Sequence, residues 1–134
     1  MKNNHQNGSV MLEALISILI FAFGVLALFG MQSVALQNMA QSNYRATAVY
    51  MANQLIGSAQ GDINHLANYQ YTWNGTAANT IVSTWATEVA NALPAASASV
   101  AVDTTNSTIS VTVSWKAPSD SIRHQQQEST YVSY

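Results

Sequence analysis

The sequence predicts an α+β fold: a long N-terminal helix, half membrane-spanning and half amphipathic, packed on a small antiparallel β-sheet. Three observations predict it. Residues 14–31 form an apolar run broken only by Ser17, an Ala-rich stripe at helical spacing follows, and the C-terminal part alternates apolar and polar residues. With 134 residues, the length fits one domain.

The first element opens on a short polar leader, residues 1–8, whose firm positive charges are Lys2 and the amino terminus. Ser-Val-Met-Leu-Glu follows, then the apolar run, and no Asp, Glu, Lys or Arg recurs between Glu13 and Arg45. Residues 9–31 are about 23 in number, enough to cross ~30 Å of hydrocarbon as a helix. A cleaved signal peptide would have a shorter apolar core, of about 7–15 residues, ending at a small-residue site. Here the run is longer and passes into Gln32, Ser33 and a further helical pattern. An uncleaved signal anchor accounts for the length but not for Glu13. A charge within a membrane helix costs up to ~2.5–3.5 kcal/mol at the centre and less near the interface. A helix N-terminus returns ~0.3–1 kcal/mol of that. No cation lies nearby in the chain, so the rest calls for a positive group on another molecule.

Gly8-Ser9-Val10-Met11-Leu12-Glu13 ahead of the apolar run resembles the type IV prepilin motif. The resemblance implies that a prepilin peptidase cuts between Gly8 and Ser9 and methylates the new amino terminus at Ser9. It also implies that Glu13, five residues past the cut, guides subunit assembly by pairing with the N-terminal amine of a neighbouring subunit. The family usually carries Phe where this chain has Ser9.

The helix is expected over residues 9–57, with its transmembrane part about 9–31. Ala35, Met39, Ala46, Val49, Ala52 and Ile56 share one face, and no proline interrupts the segment. Gly57 and Gly61 are the stop signals. Gly24 and Gly30 weaken the membrane part by ~1 kcal/mol each against Ala. They favour close helix packing or local melting when the helix leaves lipid.

The head is expected over residues 58–134. Tyr69, Tyr71 and Trp73 alternate as a short strand, better suited to packing than to a ligand, and Asn74-Gly75 reads as a turn. Ile81, Val82, Trp85, Val89 and Leu93 form a short helix, capped by Asn79 or Thr80 and stopped by Pro94. Val100 and Val102 alternate with Ala. Ile109, Val111, Val113 and Trp115 give the clearest strand. In the tail Ser129–Tyr134, Thr130, Val132 and Tyr134 share a face. Three or more antiparallel strands follow, with the stripe from Ala35 to Ile56 as their cover. The order Trp85, Val89, Ala92-Leu93-Pro94, then Val111-Thr112-Val113-Ser114-Trp115, is similar to the PilV type of minor pilin.

Charged residues make up only 7% of the chain, the net charge is −2 and there is no cysteine. That excludes a basic nucleic-acid patch, a disulfide scaffold and a thiolate metal site. Among the histidines, His5 belongs to the leader, while His65 and His124 stand without a carboxylate at ligand spacing. Five carboxylates besides Glu13 are scattered singly. No phosphate loop or nucleophile elbow occurs, so no enzyme, cofactor or metal site is expected. Asn74-Gly-Thr and Asn106-Ser-Thr match the short glycosylation sequon. Removing the leader takes Lys2 away and leaves three cations against six acids, net −3.

The function implied is structural: a minor pilin of a type IV pilus, needed for pilus assembly or initiation. Its implied partners are the prepilin peptidase, other minor pilins, the major pilin and the bacterial inner membrane. The head would lie in the periplasm and then in the fibre at the cell surface. Two other readings share some of these features: a pseudopilin of a type II secretion or DNA-uptake system, and a membrane-tethered periplasmic binding or adhesion module that never polymerises.

Overall fold

A computed structural model describes residues 6–75, 77, 79–118 and 120–132. Helix α1 runs Gln6–Gly61, and the chain divides into two units, Met1–Ala40 and Gln41–Tyr134.

The first unit is helical from Gln6 onward, and residues 8–40 are exposed apart from half-buried Val25. Its best 18-residue window has a mean hydropathy of 2.6 and none of it is buried within the chain. By length and composition this helix can cross a membrane. The helix was expected to start at Ser9. It is already helical at Gln6, the first described residue and within the expected leader.

In the second unit, α1 contributes a buried stripe of Ala48, Ala52, Leu55, Ile56 and Ala59. Of the expected stripe, only Ala52 and Ile56 belong to this one. Ala35, Met39 and Ala46 are exposed, and Val49 is only half-buried. The true stripe steps by three and four residues from half-buried Tyr44 and adds Leu55 and Ala59. Three of its members are alanines, which let the helix backbone come close to the core. The burial of Ala59 also explains why α1 does not stop at Gly57. That glycine is exposed within the helix, and continuing to Gly61 places Ala59 in the core at a cost of only ~1 kcal/mol for the glycine.

A 3₁₀ segment, Ile63–Tyr69, follows, and then the two-residue strand β1, Tyr71–Thr72. The aromatic alternation expected as one strand is therefore split between two elements. Tyr69 and Tyr71 are both buried, and Trp73 packs half-buried against the core, so these aromatics serve packing. Gly75 N donates to Thr72 O at 2.8 Å, closing a turn in which Asn74 has φ 62. Gly75 is needed there, because a Cβ would lie 2.8 Å from Thr72 O.

Helix α2 spans Thr80–Ala92, with Asn79 as its N-cap. The Asn79 Oδ1 accepts from Ile81 N at 2.8 Å. Val82, Trp85, Ala86 and Val89 face the core, while Ile81 is exposed. Leu93 ends the helix as a buried C-cap ahead of Pro94.

Strands β2 (Ser97–Asp103), β3 (Thr108–Trp115) and β4 (His124–Tyr131) complete a four-stranded antiparallel sheet of order β1-β2-β3-β4. Ile109, Val111, Val113 and Trp115 are all buried, as their alternation predicts. With Ala98 and Val100 they join the α1 and α2 side chains in one core.

β4 departs from expectation. The strand was read at 129–134; it lies at His124–Tyr131, and Tyr134 falls outside the described residues. The missed part is polar, His-Gln-Gln-Gln-Glu. Ladder pairing to β3 uses backbone groups that every residue supplies, so this edge strand forms without an apolar alternation to announce it.

Candidate functional site

The candidate site is the start of α1. Gly8, Ser9 and Glu13 all lie in the helix and all are exposed. Ser9 and Glu13 are four residues apart, so they share one face of the helix. A Cβ at Gly8 would meet nothing within 4 Å. No contact within the chain therefore demands glycine there.

Glu13 makes no ion pair among the described residues. It also lies beyond the first turn of a helix that starts at Gln6, and the pull of a helix N-terminus fades within that turn. The dipole compensation expected for Glu13 is thus weak in the uncleaved chain, and a helix starting at Ser9 would bring the carboxylate nearer its positive end. Ser17, the polar break in the apolar run, donates its hydroxyl to Glu13 O at 2.8 Å. This back-bond satisfies the hydroxyl inside an apolar stretch. Gly24 and Gly30 have open space around them, which leaves that surface free for another helix.

The head holds clusters that the sequence did not announce. His65 Nδ1 and Asp62 Oδ1 are 2.7 Å apart, as are His124 Nε2 and Asp120 Oδ2. The expectation that these histidines lack carboxylate neighbours is therefore wrong: a turn or loop brings acids at three and four residues back onto them. Even so, the described residues contain no group of three His, Cys, Asp or Glu side chains able to hold a metal. His124 also stacks on Trp115, with ring centroids 5.9 Å apart, and Trp115 Nε1 is buried with no acceptor among the described residues. Arg123 Nη1 donates to Ala95 O at 2.8 Å and to Ser97 Oγ at 3.1 Å, bracing a link in which Ala95 has φ 45. The carboxylate of Asp103 accepts from the backbone N of Thr105 and Asn106 and from Asn106 Nδ2 at 2.7–3.0 Å. These bonds hold its pKa below the usual carboxylate value, the Asn106 side chain contributing most. Asn106, of the second sequon, is thereby tied into the β2–β3 turn. In the first sequon, Thr76 lies outside the described residues.

A groove between α1 and α2 is lined by Leu55, Ile81, Thr84, Trp85 and Glu88. It brings together no paired acid and base, and it gives no chemistry beyond packing. Comparison with family models, curated proteins and solved structures found no match to this chain.

Proposed function

We propose that this chain is a structural minor pilin of a type IV pilus. It is cleaved between Gly8 and Ser9 by a prepilin peptidase, methylated at Ser9, held in the bacterial inner membrane with its head in the periplasm, and then built into the fibre. One observation carries the reading: Glu13 is a carboxylate at the head of an exposed apolar helix, on the same face as Ser9, with no ion-pair partner among the described residues. A neighbouring subunit's new amino terminus supplies the missing charge. The order of elements in the head, helix then alternating strands, supports the PilV-type assignment. Other minor pilins and the major pilin are its partners in the fibre, and the chain carries no catalytic role.

Two measurements test this. The mass of the chain isolated from cells with the peptidase should match residues 9–134 carrying one methyl group. Glu13→Leu should leave the protein in the membrane but reduce its recovery in sheared fibres at least tenfold. An intact leader, together with normal behaviour of Glu13→Leu, would leave only a tethered periplasmic module. Normal cleavage with recovery in a secretion pseudopilus would place it in the related machine.

A further inference from the structure

The sheet ends on β4, and no described residue pairs with its outer edge. Val132 N donates to Ser107 O at 2.7 Å, which fixes the phase of the ladder. In an antiparallel pair, residues bonded to the neighbouring strand alternate with residues that are not. His124, Gln126, Glu128 and Thr130 therefore turn their backbone groups toward β3. Gln125, Gln127, Ser129 and Tyr131 turn theirs outward. Apart from a 3.4 Å contact of Thr130 Oγ1 with Tyr131 O, these outward groups have no partner among the described residues.

Sheet proteins protect such edges by shortness, Lys, Pro or a bulge. The opposite edge, β1, is two residues long. β4 has eight residues and carries neither Lys nor Pro. Its register runs unbroken from Thr108↔Tyr131 to Trp115↔His124. This is a long, regular and open edge.

We propose that two copies of this chain join through β4, antiparallel about a twofold axis, with Gln127 opposite Gln127 of the second copy. Two requirements and the partner offered to Glu128 favour that register. A twofold axis normal to the sheet keeps both core faces on one side, so outward-pointing residues pair with outward-pointing residues. Glu128, the only Asp, Glu, Lys or Arg on the strand, must also avoid its own copy, since like charges directly opposite destabilise a ladder. Centring on Glu128 violates the second requirement. Centring on Gln127 places Glu128 across from Gln126 of the second copy, an amide that already donates to Glu128 within one chain at 3.0 Å. Gln125 then faces Ser129, and about six backbone hydrogen bonds form; centring on Gln126 gives about four. Centring on Ser129 also gives about six, but it sets Glu128 across from Thr130, whose hydroxyl lies against Tyr131 O in its own chain, so the amide of Gln126 favours the register on Gln127. The strand is thus complementary to itself, and the second copy needs no feature that this chain lacks. The inference does not rest on the fibre reading, because it concerns the head of the uncleaved chain.

Because the chain has no cysteine, single cysteines report the contact cleanly. Bonded antiparallel partners have Cα atoms about 5.5 Å apart, within the roughly 4.4–6.8 Å that a disulfide spans. In the full chain in detergent, Gln127→Cys should give mostly disulfide-linked dimer on mild oxidation. Ser99→Cys, exposed on the central strand β2, should stay monomeric. Gln125→Cys and Ser129→Cys should cross-link only when mixed. Adding Gln127→Pro to both, which removes an outward N–H and leaves the β3–β4 ladder intact, should cut that cross-link at least tenfold without changing the melting temperature. The proposal is overturned if Gln127→Cys links no more than Ser99→Cys. It is equally overturned if, in membranes, residue 127 captures a different protein in place of a second copy.

Discussion

Trp85 is the side chain whose removal most directly tests how the head is held to α1. It is 3% exposed in the core, and its Nε1 donates to Met51 O at 2.9 Å, across 34 positions of sequence. Trp85→Ala removes a large buried side chain and leaves a cavity, a loss of ~3–5 kcal/mol. Trp85→Phe keeps much of the packing but loses the hydrogen bond, worth about 1 kcal/mol. Met51 O lies within the helix and keeps its own intrahelical partner, so no acceptor is orphaned and the total loss is about 1–2 kcal/mol. The unit Gln41–Tyr134 should have roughly 5–14 kcal/mol of stability in all. At ~4–8 °C per kcal/mol, Trp85→Phe should melt roughly 5–15 °C lower. Trp85→Ala should melt at least about 12 °C lower or fail to fold. Near-UV circular dichroism of the full chain in detergent follows the transition, with Trp73 and Trp115 remaining as reporters. A loss under about 1 kcal/mol for Trp85→Ala would mean that α2 is not docked on α1, and the core as described would be wrong.

Two further predictions concern pH. The lowered pKa of Asp103 means that folding favours its ionised form, so its stabilisation is present above the ordinary 3.8 and is lost as pH falls through the lowered value. The difference in melting temperature between wild type and Asp103→Ala should therefore vanish in strong acid and be constant near neutrality. Tyr69 shows the opposite sign. Burial, then the charge of Asp62, raises its pKa above the ordinary 10.0, so its contribution is complete below pH 10 and is lost as pH rises through the raised value. Tyr69→Phe should flatten the alkaline decline in melting temperature. It should also cost about 1 kcal/mol near neutral pH, from the lost bond of its hydroxyl to Ser58 O.

Where one physical signal dominated, the sequence was readable. The segment 9–31, with its apolar run 14–31, shows a membrane-length helix because nothing else in a chain is so uniformly apolar. Ile109, Val111, Val113 and Trp115 show a strand because a sheet with one buried face imposes period two. Asn79 and Pro94 bracket α2 because caps and stops act locally. The errors fall where tertiary context decides. An alanine looks alike on any helical face, so Ala46 could not be told from Ala48 until the core was known. β4 carries polar side chains on the same sheet face as the core, because its partners there, Val111 opposite Glu128 and Val113 opposite Gln126, already fill the interior. The contacts of His124 with Asp120 and Trp115 depend on how the loop between β3 and β4 folds back, which no local pattern encodes. Of the candidate site, the motif put Gly8, Ser9 and Glu13 at the head of the apolar helix, and all three lie exposed on α1. That α1 is already helical at Gln6 was not foreseen, because residues 1–8 hold no proline and their several asparagines offer more than one possible cap.

The apolar segment bears on the role proposed for Glu13. Eleven Leu, Ile, Phe and Val residues lie between Leu15 and Phe29, and at about −0.3 to −0.6 kcal/mol each they favour insertion by roughly 3–7 kcal/mol. A carboxylate near the end of the span costs less than the ~2.5–3.5 kcal/mol of a central charge. The apolar segment therefore favours insertion even with Glu13 present, and replacing it with Leu would only strengthen that preference. A side chain that works against the membrane step, without abolishing it, has to be explained by a later step. For a carboxylate with no ion-pair partner among the described residues, the proposed function makes that step association with a molecule that supplies one. Under the proposed function, removal of residues 1–8 would favour that step twice, because it would bring the helix N-terminus closer to Glu13 and expose a fresh amine on the same helical face.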